Sequence, residues 1–161
     1  MAVLFCDTNC ELMFDKAKEL GLTNIIRMPY TICGEEYYYD LGENYDPKKF
    51  FDLVRAGNMP ITSGLNAENY KDYFRPFFEK NEEILYVSFS SQLSGTFAYM
   101  DTAVKELQAE FPEAKFTRFD TKGISMCAGL AVYAAAKLFN EGKSVAEITE
   151  FLDEFIYRCN A

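Results

Sequence analysis

The chain has 161 residues and not one histidine. That absence excludes a serine–histidine–aspartate triad and a cysteine–histidine pair, because neither nucleophile has its usual base. It also removes a common zinc ligand, and no Cys-x-x-C spacing compensates. Basic residues are few: 16 Lys and Arg against 25 Asp and Glu leave a formal charge of -9. A basic face for nucleic acid or for an anionic membrane is therefore not expected, and the acid excess reads as a device for solubility. No run of about 18 apolar residues occurs, so no transmembrane segment is expected. The opening Met1-Ala2-Val3-Leu4-Phe5-Cys6-Asp7 lacks a basic region and a long apolar core, so it does not read as a secretion signal. The 5 cysteines, Cys6, Cys10, Cys33, Cys127 and Cys159, are odd in number. Reduced thiols in a cytoplasmic protein are the expectation. There is no G-x-G-x-x-G run for a dinucleotide and no Gly-Lys pair for a P-loop. Asp7-Thr8-Asn9 lacks the second aspartate of an Asp-x-Asp phosphatase. Neither an internal repeat nor a low-complexity segment is present.

What is present suffices for one domain over residues 1–161. Hydrophobic residues make up 49% and aromatics 16%, enough for a real core. Ala2 to Cys6 is an apolar run that reads as a buried strand. Thr8-Asn9-Cys10-Glu11 has capping-box spacing and predicts a helix carrying Leu12, Met13, Ala17 and Leu20 to a stop at Gly21. The apolar run from Ile25 to Ile32, the turn at Cys33-Gly34-Glu35 and the tyrosine-rich Glu36 to Asp40 predict a small hairpin. Asp46-Pro47 opens a helix that reaches Ala56, and Pro60 to Gly64 reads as a short loop. A helix follows from Asn66, with Pro76 expected to kink it or end its regular part. Ile84 to Phe89 is a continuous apolar strand, as in a sheet covered on both faces. A helix from Phe97 to Phe111, a strand from Lys115 to Phe119, a small-residue helix from Met126 to Asn140 and a capping box at Ser144 to Glu147 complete the chain. Cys6 and Cys127 sit in apolar runs and read as core. The alternation predicts an α/β fold with a parallel sheet and three-layer α/β/α architecture.

Chemistry concentrates in Ser90-Ser91-Gln92-Leu93-Ser94-Gly95-Thr96. A strand precedes this run and a helix follows it. The first N–H groups of a helix lack intrahelical partners, and the helix dipole is positive there. Hydroxyl donors beside such a terminus make a cradle for a carboxylate or a phosphate without Lys or Arg. With no histidine available, the serines read as ligand donors rather than nucleophiles. Loops at the carboxyl ends of parallel strands converge, so Asp7, Thr8 and Asp120 are placed at the edge of the same site. Thr8 or Asn9 reads first as a helix cap, while Asp120-Thr121 divides evenly between turn and site. Tyr70, Tyr73, Phe74 and Phe77 read as core in preference to an acyl pocket. Three functions stay open: a lipid carrier that holds a carboxylate at Ser90 to Thr96; a small α/β enzyme on a phosphorylated metabolite, with Asp7 or Asp120 as base; or an interaction module without a ligand.

Four landmarks together resemble the DegV family of bacterial fatty-acid-binding proteins. They are Phe5-Cys6-Asp7-Thr8-Asn9, Pro60-Ile61-Thr62-Ser63, Ser90 to Thr96, and Phe119-Asp120-Thr121. The order and spacing agree along nearly the whole chain, and the Ser-Ser-x-Leu-Ser-Gly-Thr element is the most specific. The resemblance implies one bound long-chain fatty acid, its tail buried and its carboxylate held by hydroxyls, with no cofactor. It implies that a separate fatty acid kinase subunit then phosphorylates the carboxylate. Thr62 and Ser94 are the implied carboxylate donors, with Ser63, Ser91, Gly95 and Thr96 nearby. Two departures stand out. The family loop Thr-Ser-Gln-Pro-Ser here reads Thr62-Ser63-Gly64-Leu65-Asn66, so glutamine and proline are missing. Family members also resemble two-domain proteins of nearly twice this length, so the second domain is expected to be absent. A fragment of that kind would expose apolar surface and self-associate.

Overall fold

The computed structural model describes residues 1–159; Asn160 and Ala161, the last two of the expected domain, lie outside the described residues. Strand β1 (Ala2–Asp7) leads through a 3-10 turn (Thr8–Cys10) to helix α1 (Phe14–Glu19) and strand β2 (Asn24–Ile26). Strands β3 (Pro29–Ile32) and β4 (Glu35–Tyr38) form the hairpin, followed by α2 (Pro47–Arg55) and the short β5 (Ile61–Thr62). Then come α3 (Ala67–Phe78), β6 (Glu83–Ser88), α4 (Thr96–Glu110), β7 (Phe116–Asp120), α5 (Met126–Asn140) and α6 (Val145–Phe155), with a closing 3-10 turn at Ile156–Arg158.

Four strands make one parallel sheet in the order β2-β1-β6-β7. Alternation along each strand decides which layer a side chain joins. Leu4, Cys6, Leu85 and Val87 pack with α5 and α6, through Val132, Ala135, Ile148 and Leu152. Phe5, Ile84 and Tyr86 point the other way, to α3 and α4, through Tyr70, Phe74, Met100 and Leu107. The expected three-layer α/β/α arrangement follows. Burial on both faces is why these strands are apolar without a polar alternate. Helix α5 can lie close because of its small residues: a side chain at Gly129 would meet the carbonyl oxygen of Cys10 at 2.4 Å. Cys6 and Cys127 are buried, as expected, and Cys10 and Cys159 are buried with them.

Three local expectations change. Thr8 does not cap a helix. Asp7 caps the 3-10 turn instead, accepting from the Asn9 N–H, and Glu11 in the left-handed region (φ 51°) breaks the path before α1 begins. The Thr8 hydroxyl accepts from the Met28 N–H, a partner 20 residues away. The Pro60 to Gly64 loop contains β5, which pairs with β3 and completes a three-stranded antiparallel sheet in the order β4-β3-β5. Pro76 sits in the last turn of α3, and Phe77 and Phe78 continue the helix beyond it. The proline needs only one missing hydrogen bond there, near an end that frays anyway.

Candidate functional site

The carboxyl ends of β1, β6 and β7 bring together every loop singled out by the sequence, and most of their polar groups are spent on one another. The Asp7 carboxylate is buried. It accepts from the Asn9 N–H at 2.9 Å, the Tyr86 hydroxyl at 2.9 Å and the Phe89 N–H at 3.1 Å. Desolvation pushes its pKa up to about 6, against the opposing pull of those three donors. Asp7 therefore joins β1 to the end of β6 and, at 1% exposure, is shut away from the cleft. Asp120 accepts from the Ser91 N–H at 3.3 Å and from the Ser91 hydroxyl, and again from the Lys122 N–H at 2.9 Å. Ser91 is thereby turned toward β7. Thr96, expected as a ligand donor, is buried and fully committed: its hydroxyl meets the Leu65 N–H at 3.0 Å, the Leu65 carbonyl at 3.1 Å and the Tyr70 hydroxyl at 3.1 Å. A hydroxyl has one proton and two lone pairs, so nothing is left for a ligand. Thr96 positions the loop, which lies so close that a Cβ on Gly64 would meet the Thr96 Cβ at 3.2 Å. Glycine in place of the family glutamine suits that approach.

The uncommitted groups form a rim. Thr62, the last residue of β5, and Ser63, just beyond it, are exposed, and the Ser63 N–H donates to the Pro29 carbonyl at 3.3 Å. Among the described residues, no protein group hydrogen-bonds the hydroxyl of either. Ser94 is half-buried, and its oxygen accepts from the Thr96 N–H at 3.2 Å, which leaves its proton free to donate outward. Gly95 starts α4 without a side-chain cap, and open space lies over it. Thr62, Ser63, Gly64 and Ser94 line one cleft of about 300 Å³, whose other wall is Met28, Phe89, Leu93 and Ile124. The described lining of this cleft includes no Lys or Arg. Such a site suits an anion with an apolar body: neutral donors for the charge, apolar wall for the remainder.

An adjoining cleft of about 420 Å³ shares Asn9, Met28, Pro29 and Thr62 with the first and is walled by Tyr30, Tyr39, Tyr45 and Phe50. Sequence reasoning missed these aromatics as site residues. Only Tyr39 lay in a run that stood out, the tyrosine-rich Glu36 to Asp40; Tyr30, Tyr45 and Phe50 gave no signal. Of the four aromatics it weighed for an acyl pocket, Tyr70 and Phe74 are fully buried core, and Tyr73 and Phe77 are partly buried and pack against that core. No group of three or more His, Cys, Asp or Glu among the described residues could hold a metal ion.

Fold and site together define an α/β domain with a hydroxyl-rimmed crevice at the strand ends. The chain belongs to the DegV family: residues 2–161 match the family described as "Uncharacterised protein, DegV family". It is 33% identical to a DegV domain-containing protein of Clostridium perfringens over 152 residues, 94% of this chain and 52% of the relative. A DegV domain-containing protein of Lactococcus lactis is 33% identical over 156 residues, 96% of this chain and 53% of the relative. Among solved structures, a fatty-acid-binding DegV family protein from Thermus thermophilus superimposes with a TM-score of 0.79 at 27% identity, over 97% of this chain and 53% of that one. A stearic acid-binding protein from Eubacterium ventriosum shares the fold, with a TM-score of 0.80 at 20% identity over 95% of this chain and 52% of its own. The chain thus spans about half the length of the relatives it matches. No helix among the described residues is long and apolar enough to cross a membrane.

Proposed function

We propose that this chain binds a fatty acid by its carboxylate and holds it as a carrier. One observation carries the reading: the hydroxyl protons of Thr62, Ser63 and Ser94 are free to donate on the rim of a cleft with an apolar wall and no Lys or Arg in its described lining. Several neutral donors converging on a carboxylate satisfy it without a counter-charge. Each buried CH₂ of the tail adds roughly 0.8 kcal/mol, so a modest head-group site supports tight binding. The fatty-acid-binding relative from Thermus thermophilus, above a quarter identical, supports the same ligand class. In this reading a separate kinase subunit approaches the rim and phosphorylates the exposed carboxylate. The carrier itself contributes position and no base. Ser91 and Asp120, bonded to each other, serve the shape of the loop.

The phosphorylated-metabolite enzyme loses support from the same geometry. Its intended base, Asp7, is buried under three donors, and Asp120 is engaged by Ser91 and Lys122. A titration with saturated fatty acids, read by calorimetry and by denaturing mass spectrometry of retained lipid, tests the carrier. Binding that weakens about tenfold or more in Ser94→Ala and in Thr62→Val is expected, since a hydrogen bond to a charged group contributes about 1.5–3 kcal/mol. No binding by the unaltered chain at any acyl length would sink the reading.

A further inference from the structure

The parallel sheet has two edges, and they are unlike. On one side it ends in β2, with 3 residues. On the other it ends in β7, with 5 residues in unbroken register from Ile84↔Phe116 to Ser88↔Asp120. Among the described residues no strand pairs with the outer side of β7. The ladder to β6 uses alternate residues of β7. The Ile84 N–H donates to the Lys115 carbonyl at 2.8 Å, and the Thr121 N–H to the Ser88 carbonyl at 3.1 Å. Thr117 and Phe119 lie in phase with those two and bond inward. Phe116, Arg118 and Asp120 turn their N–H and C=O groups outward.

An open edge of this kind is a template for another strand, and proteins guard it with bulges, prolines or charges. β7 has neither a bulge nor a proline. Its charges are Arg118 and Asp120, opposite in sign and two residues apart, so they share one face. Arg118 also lacks a partner. Its Nη1 is the one buried side-chain nitrogen or oxygen among the described residues with no hydrogen bond. The guanidinium lies 4.9 Å from the centroid of the Phe97 ring, which attracts the charge but offers no oxygen to the N–H. A buried donor left in this way costs free energy that an acceptor would recover. Asp120 has capacity to spare. It accepts from the Ser91 N–H, the Ser91 hydroxyl and the Lys122 N–H, and a carboxylate offers about four lone-pair sites. Within one chain the two charges do not meet: no ion pair among the described residues includes either.

We propose that the outer edge of β7 pairs antiparallel with the same edge of a second copy, each Arg118 opposite the other copy's Asp120. Charge selects both the occupant and the register. Outward-facing residues must meet outward-facing residues. A pairing centred on Arg118 or on Asp120 sets like charges opposite each other, which destabilises. A pairing centred on Phe119 sets Arg118 opposite Asp120, and the two-fold axis repeats that pair. The Arg118 N–H and C=O then bond the Asp120 C=O and N–H of the other copy, and the carboxylate comes within reach of the orphaned guanidinium. The same face of both sheets carries α4, and the four strands of each copy join into one sheet. This inference does not depend on the carrier reading.

Sedimentation velocity of the unaltered chain, from micromolar to millimolar concentration, should show a reversible passage from monomer to dimer. A monomer throughout overturns the proposal. Arg118→Asp and Asp120→Arg, each alone, set like charges opposite and should weaken the dimer more than tenfold. An equimolar mixture of the two variants sets opposite charges across the axis again and should restore it. Variants that dimerise as the unaltered chain does, or that gain nothing on mixing, overturn the register. Amide exchange read by NMR on the unaltered chain does not depend on how the variants fold. The Arg118 and Asp120 N–H groups should exchange more slowly as concentration rises, while those of Thr117 and Phe119, already bonded to β6, should change little. A dimer in which the Arg118 and Asp120 amides exchange as they do in the monomer places the contact elsewhere and overturns the pairing.

Discussion

The two sheets of this protein differ in what their side chains are for. In the four-stranded parallel sheet both faces are covered, Phe5, Leu85, Tyr86 and Val87 are almost wholly buried, and even the polar Asp7 and Ser88 are locked into hydrogen bonds. In the three-stranded antiparallel sheet β4 is exposed along its length, and the helix above it buries nothing. The first sheet holds the chain together and the second leaves room. Binding sites need unspent groups and unfilled volume, and both collect where the small sheet meets the carboxyl edge of the large one.

That division is open to direct measurement. Phe74→Ala removes a fully buried ring from the parallel-sheet core and should cost about 3–5 kcal/mol in thermal or denaturant unfolding. Phe50→Ala under the same assay should cost about 1 kcal/mol or less, because its ring is only half-covered. Equal losses would erase the distinction between the sheets.

The buried Asp7 sharpens the contrast through pH. Its folded pKa of about 6 lies above its ordinary value of 3.8. The folded chain therefore holds this proton more tightly than the unfolded chain, and the carboxylate lowers stability once it ionises. Its contribution should fall as pH rises from about 4 to about 6, by about 3 kcal/mol in total. Urea midpoints across that window check the sign. Asp7→Asn should flatten that dependence. It should also destabilise by about 1–3 kcal/mol, because an amide has one acceptor oxygen for donors that now reach two.

Two hydroxyl residues, one from each of the facing loops, offer a finer test. Thr96→Val should destabilise by about 1–3 kcal/mol, since it leaves the Leu65 N–H and the Tyr70 hydroxyl facing a methyl group. The rim change Ser63→Ala should leave stability within about 0.5 kcal/mol and appear instead in fatty-acid titrations. Should Ser63→Ala unfold the protein while Thr96→Val only weakens ligand, the assignment of structural and ligand hydroxyls is inverted.

Much of the fold was legible because its signals are local. The span of α5 from Met126 to Asn140, the Asp46-Pro47 start of α2 and the Ser144–Glu147 capping box all lie within a few residues of what they control. The misread cap at Thr8 shows the limit. Its hydroxyl had an acceptable local role, and a backbone N–H at Met28 took it instead. The short β5 was invisible for a related reason, since Ile61 and Thr62 form a strand only because β3 lies beside them. Within the candidate site, the motif from Ser90 to Thr96 was found as a unit, yet its members divide. Thr96 and Ser91 face protein; Ser94 faces the cleft. The aromatic wall of Tyr30, Tyr39, Tyr45 and Phe50 comes from β3, the loop after β4, and α2, and no sequence window contains it.

The sequence by itself determined the order of strands and helices (the short β5 excepted), the family, and the lack of a histidine base. Periodicity, caps and composition act over a few residues, so they survive being read in one dimension. Only the tertiary structure decided which hydroxyl is spent and which is free, and where volume remains. The proton and lone pairs of a serine or threonine go to whatever the fold brings within about 3 Å. For Thr96 that was Leu65, 31 residues away; Ser94 accepts from the Thr96 N–H and keeps its proton for the cleft.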